Sequence, residues 1–397
     1  MAKVEGRDKN IDGLRGLACI SVVLIHTLSY TMRTLIPPYI QGTSLLIDVP
    51  LFFYITGRST VLSKVAGWNF SGIWRLLKLY YLLLVPLWIA QCIYMRHLNF
   101  KSLLLWSVHD YVNSMPFPVF MGSMWFIKIY GLCIPAAQRM KNSPRAAKSA
   151  WVASLVVLLV LGFPRGGLLA GTRFAFDPAA YFRDPPFGGQ HSMLSVLSAF
   201  GQHSVLSVLS VFGIVLLGIV WSCIFYSSFI LFGMLHQQGE LKRWIWGIAV
   251  LVSVVTLAAY RFSGDGWVGG MQSNKFPPNM IYWSYSMLST SLIIFAVKYF
   301  GFFRSFLASW IPQWIGKNAL YAYFAQGFSA SLLFVYVAHT NGMPLGIRIA
   351  IAFLINLGAD MLLVWFFLFA ERRRRKLGVA RLPLGYSEGD APPMHAA

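Results

Sequence analysis

The stretch 10-NIDGLRGLACISVVLIHTLSY-30 decides the fold. It is apolar and about 20 residues long, enough to cross the hydrocarbon core of a bilayer as a helix, yet it carries Arg15 and His26. Eleven residues advance an α-helix by about 1100°, roughly 20° past three full turns, so the two lie on one face about 16 Å apart. A charged side chain facing lipid costs several kcal/mol. A shared face therefore implies a shared protein interior or wet cavity.

The rest of the chain supports a membrane reading. Its 397 residues are 57% hydrophobic and 12% charged, about half the charge of a soluble domain, and mean hydropathy is +0.61. The formal charge of +20 falls in short basic clusters between apolar runs, which argues against a nucleic-acid face. Apolar runs near 11–32, 43–62, 75–96, 122–140, 150–171, 208–235, 243–262, 280–300, 314–338 and 346–370 predict an all-α polytopic bundle of about ten spans. With both termini cytoplasmic, Lys and Arg on the inside outnumber those outside by more than two to one, the expected bias. Residues 1–371 are read as one membrane domain and 372–397 as a basic, disordered cytoplasmic tail. The first run has no small-residue cleavage site before it and is expected to be retained.

Two features invite metal or redox chemistry, and both have plainer readings. Cys19, Cys92, Cys133 and Cys223 show no paired spacing and read as buried thiols. A tandem repeat, GQHSMLSVLSAF at 189–200 and GQHSVLSVLSVF at 201–212, pairs His191 with His203 by duplication alone. His97 and His109 read as loop histidines. No metal site and no tightly bound cofactor is expected.

The second run, SLLIDVPLFFYITGRST, returns inward and carries Asp48 at the depth of His26 and Arg58 at the depth of Arg15. A carboxylate beside an imidazole holds one tautomer and raises its basicity, which suits a general base acting on a hydroxyl near neutral pH. Guanidinium forks match phosphate oxygens bidentately, which suits Arg15 and Arg58 as the grip on a phosphate-bearing donor. Lys128 in the fourth span is a further candidate for the donor path. Asp360, with Asn356 one turn before it, is either a buried hydrogen-bonding group or part of the cavity wall. Trp125, Tyr282 and Trp283 are candidates to stack on an acceptor sugar.

These residues resemble the membrane acyltransferase-3 family. NIDGLRGLACISVVLIHTL resembles its opening, with Arg-x10-His in the first span; DVPLFFYITG resembles its second-span segment, with Thr56 for the usual Ser. WRLLKLYYLLLVPLW, carrying Arg75, Lys78 and Pro86, is similar to its basic lead into the third span. MWFIKIYGL, NKFPPNMIYW and IGKNALYAYFAQGF resemble weaker motifs. The resemblance implies a multi-pass protein of the cell membrane, the inner one in bacteria, that moves an acyl group from acyl-CoA to a hydroxyl. His26 would be the catalytic histidine and Arg15 its partner in handling the donor; Arg58, Arg75, Lys78 and Lys128 are read beside them as donor-binding candidates. Two departures stand out: Arg58 replaces an aromatic residue, and Ala325-Gln326 stands where many members have a histidine.

The reading is thus an integral membrane O-acyltransferase, foremost an O-acetyltransferase, with a surface or lipid-linked saccharide as acceptor. A hydroxylated or glycosylated small molecule is the alternative acceptor. The rival of another class is a transporter or flippase, since intramembrane Arg, Asp and His also build ion pathways. The oligomeric state is open.

Overall fold

The computed structural model describes residues 8–28, 36–63, 71–96, 98, 100, 103, 124–162, 205–262, 271, 275, 278–338, 340 and 342–376. Among them there are thirteen helices: α1 Lys9–His26, α2 Pro38–Ser44, α3 Val49–Leu62, α4 Ser71–Met95, α5 Met124–Met140, α6 Pro144–Leu161, α7 Val205–Gln237, α8 Arg243–Phe262, α9 Met280–Tyr299, α10 Gly301–Ala308, α11 Trp310–Lys317, α12 Ala319–Ala338 and α13 Leu345–Lys376. The described residues form no strand, only an isolated bridge between Lys275 and Pro278. The all-α membrane bundle is therefore the fold.

Helical segments occupy each of the ten apolar runs. Among the described residues, seven segments are long and apolar enough to cross a membrane: Tyr39–Leu62, Ile73–Ile93, Pro144–Leu161, Gly218–Gln237, Arg243–Arg261, Met280–Tyr299 and Leu345–Arg373. The other three runs hold α1, α5 and α12. Exposed apolar side chains line α4 (Leu82, Val85, Ile89, Ile93), α8 (Leu251, Val254, Val255) and α13 (Leu354, Leu362, Trp365, Phe366). In lipid such a surface costs nothing, because the acyl chains are as apolar as the side chains.

Two runs that read as single helices are broken. The second begins in the last residues of α2 and continues as α3, which Pro50 opens in its first turn. The ninth breaks at Asn318, whose side-chain amide donates to Trp314 O at 2.8 Å and competes with the backbone ladder. The histidines of the tandem repeat, His97 and His109 lie outside the described residues. α13 continues through the basic cluster to Lys376.

With no hydrophobic force between helices in lipid, close packing depends on small residues. Gly57 of α3 lies against the backbone of Ile230, and Gly233 of α7 against that of Tyr54, so a Cβ at either would collide with main chain. Gly16 of α1 and Gly316 of α11 make the same kind of approach, to Pro312 and to Asp12. Two of these crossing glycines are next in sequence to a basic residue: Gly16 follows Arg15 and Gly57 precedes Arg58. The crossings thus fix where both guanidinium groups emerge.

Candidate active site

At the start of α1, Asp8 caps the helix, its carboxylate accepting from Asn10 N at 2.9 Å. Two turns on, Arg15 Nη1 meets Asp12 Oδ1 at 3.3 Å, and its Nη2 donates to Ser59 Oγ of α3 at 3.0 Å. Arg58, next to Ser59, donates from Nε to Gln237 Oε1 at 2.9 Å and lies 3.8 Å from Asp8 Oδ2. Both arginines therefore stand at the same end of α1 and α3. Arg75 of α4 joins them indirectly, since Tyr130 of α5 lies within electrostatic reach of Arg15 and Arg75. Lys78 sits apart, its ammonium 5.2 Å over the ring of exposed Trp74. Lys128 is half-buried on α5.

At the other end of α1, His26 is half-buried. Asp48 holds the N-cap position of α3 but makes no capping bond with its side chain, although Asp is a favoured cap there. Its Oδ2 instead meets Lys275 Nζ at 2.6 Å and accepts from Tyr282 Oη at 2.6 Å. Lys275 and Asp48 both act electrostatically on His26, so the three form one cluster. The side chains of the pair are 7% and 1% exposed.

The surrounding elements hold this cluster in place. Asn279 caps α9 by accepting from Ile281 N and Tyr282 N, each at 3.1 Å. Trp221 of α7 donates from Nε1 to Pro278 O at 2.6 Å, pinning the segment that delivers Lys275. Tyr282 stacks on Phe225 with centroids 5.4 Å apart. Next along α7, Tyr226 stacks on Phe53 at 4.7 Å and faces half-buried Trp125 at 5.6 Å. Tyr285 is within electrostatic reach of Asp48 and donates to Gly42 O at 3.0 Å.

The predicted residues thus divide. The structure brings Asp48 and Tyr282 together beside His26, with Trp125 one ring away across Tyr226. Trp283 turns to α7 instead, donating to Ser228 Oγ at 2.9 Å from a 2% exposed position. Asn356 donates to Thr27 Oγ1 at 2.8 Å, locking α13 against α1. Asp360 is 1% exposed and within electrostatic reach of Cys19.

Two residues of the cluster were missed. Lys275 reads in sequence as an external loop charge; the signal that could have found it is its place in NKFPPN, directly ahead of the Asn279 cap. Tyr226 carries no signal, being one of 18 tyrosines in a chain rich in them.

An electrostatically linked His–Asp–Lys cluster thus lies at one end of α1 and a guanidinium pair at the other. A family model described as an acyltransferase domain matches residues 8–370. The chain belongs to the acyltransferase-3 family. No curated protein and no solved structure matches the chain. Membership over nearly the whole length makes this chain an acyltransferase of the membrane and sets aside the transporter reading.

Proposed function

We propose that this acyltransferase moves an acetyl group from acetyl-CoA, presented at the Arg15 end of α1, to a saccharide hydroxyl held at the His26 end. The observation that carries the reading is the pairing of Arg15 and His26 on one face of α1 with the Asp48–Lys275 pair beside the histidine. Both termini are cytoplasmic in this scheme, following the distribution of basic residues. Labelling of a C-terminal tag from outside intact cells would overturn that topology.

The chemistry balances within the cluster. His26 takes the proton of the acceptor hydroxyl as its oxygen attacks the thioester carbonyl, and Asp48 stabilises the imidazolium that forms. The C–S bond then breaks, and the coenzyme thiolate recovers the proton from His26. Arg15 is suited to the coenzyme phosphates because it is 26% exposed and held by a 3.3 Å contact that a phosphate can displace. Trp125 offers the aromatic wall that a sugar face stacks on.

The test is His26→Ala in purified protein supplied with saturating acetyl-CoA. Transfer should fall by about 10²- to 10⁴-fold, the usual contribution of a general base, while the protein stays folded. Retention of more than about a tenth of the activity would remove His26 from that role.

A further inference from the structure

Asp360 lies midway along α13 and is 1% exposed. Neither of its carboxylate oxygens makes a hydrogen bond among the described residues. One turn before it, Asn356 is 0% exposed. Its Nδ2 donates to Thr27 Oγ1 at 2.8 Å and to Val23 O at 3.4 Å on α1, while its Oδ1 makes no bond among the same residues. Residues four apart on a helix are neighbours on one face, so the amide and the carboxylate adjoin.

A third buried acceptor belongs to the same junction. Cys19 of α1, Ala325 of α12 and Val364 of α13 share one buried cluster. Asp360 precedes Val364 by one turn and is within electrostatic reach of Cys19. Gln326, next to Ala325, is 3% exposed, and its Oε1 is also without a bond among the described residues. Three side chains from two helices therefore bring four unbonded oxygens to one place against α1.

The occupant follows from charge and from the number of oxygens. A buried acceptor without a donor is costly, and a bare carboxylate far more so. One proton shared by Asp360 and Asn356 serves two of the four oxygens and leaves two bare. A divalent ion serves them all but leaves an uncompensated charge inside the bilayer. The described residues hold no group of three His, Cys, Asp or Glu that would suit a transition metal. A hard monovalent cation takes oxygen ligands alone and cancels the single carboxylate charge.

We propose that Asp360, Asn356 and Gln326 bind one monovalent metal cation, sodium or potassium, where α12 and α13 meet α1. Cys19 lies about 40° round α1 from Arg15, and His26 about 20°. The ion therefore fastens two helices to the face of α1 that carries both residues, whatever donor and acceptor the enzyme uses.

The experiment follows thermal unfolding of the full chain in detergent as NaCl or KCl replaces choline chloride at constant ionic strength. The wild-type Tm should rise and saturate with at least one of the two salts, because an ion that binds only the folded state stabilises it by mass action; the salt with the lower midpoint names the ion. Gln326→Leu removes one oxygen without touching the Asn356–Thr27 bond, and should weaken the apparent ion affinity about tenfold. Asp360→Asn needs no counter-charge and should unfold at one temperature in all three salts; if it fails to fold, Gln326→Leu still decides. A wild-type Tm that ignores both ions, or an unchanged ion affinity in Gln326→Leu, overturns the site. So does an infrared band of a protonated carboxyl that persists in saturating salt and disappears in Asp360→Asn, because a proton then occupies Asp360.

Discussion

Arg15 and Arg58 keep 26% and 20% of their side chains exposed and bond a hydroxyl, an amide and carboxylates at up to 3.8 Å, whereas Lys275 and Asp48 keep 7% and 1% and meet at 2.6 Å. The difference lies in how much each contact resists exchange. Exposed ion pairs contribute little and rearrange readily, because water competes for both partners. A buried pair offsets a large desolvation penalty only while both members are present. The guanidinium end can therefore trade partners, while the lysine end holds one arrangement.

The largest expected effect comes from breaking the buried pair. Lys275→Met should lower stability by about 3–5 kcal/mol, because Asp48 is left as an uncompensated buried charge. Adding Asp48→Asn should recover part of the loss. Thermal unfolding in detergent measures both; a Lys275→Met shift no larger than that of Arg58→Gln would erase the contrast between the two ends.

Arg15→Lys keeps the charge and loses the planar fork. The donor KM should rise by about tenfold to a hundredfold, equivalent to roughly 1.5–3 kcal/mol for one charge-assisted contact. A rise in the acceptor KM instead would move the donor away from this end of α1.

Gly57→Val tests whether the crossing beneath Arg58 sets the geometry of that end. The new side chain would meet Ile230 backbone, and overpacking of this kind costs about 1–3 kcal/mol. Stability equal to wild type would show that α3 and α7 can separate without loss.

Arg58→Gln is the smallest change, below about 1 kcal/mol in stability, since its ion pair is long and partly exposed. If it nonetheless weakens acetyl-CoA binding as much as Arg15→Lys does, the two arginines share the donor equally.

Apolar run length determined the helical bundle from sequence alone, and the Arg15–His26 spacing placed both residues on one face of α1, because hydrophobic run length and helical period are local properties of the chain. The family motif in the same stretch also carried the acyltransferase assignment. The depth match of Asp48 with His26 was also readable, being a count of residues from two span ends. Only the tertiary structure decided what surrounds that carboxylate. Lys275 reaches it from 227 positions along the chain, Tyr282 from 234 positions and Tyr226 from 178. Such separations leave no periodicity to read. They are set by glycine crossings, the Asn279 cap and the Trp221 bond to Pro278, each of which depends on backbone from another helix arriving within hydrogen-bond or van der Waals distance.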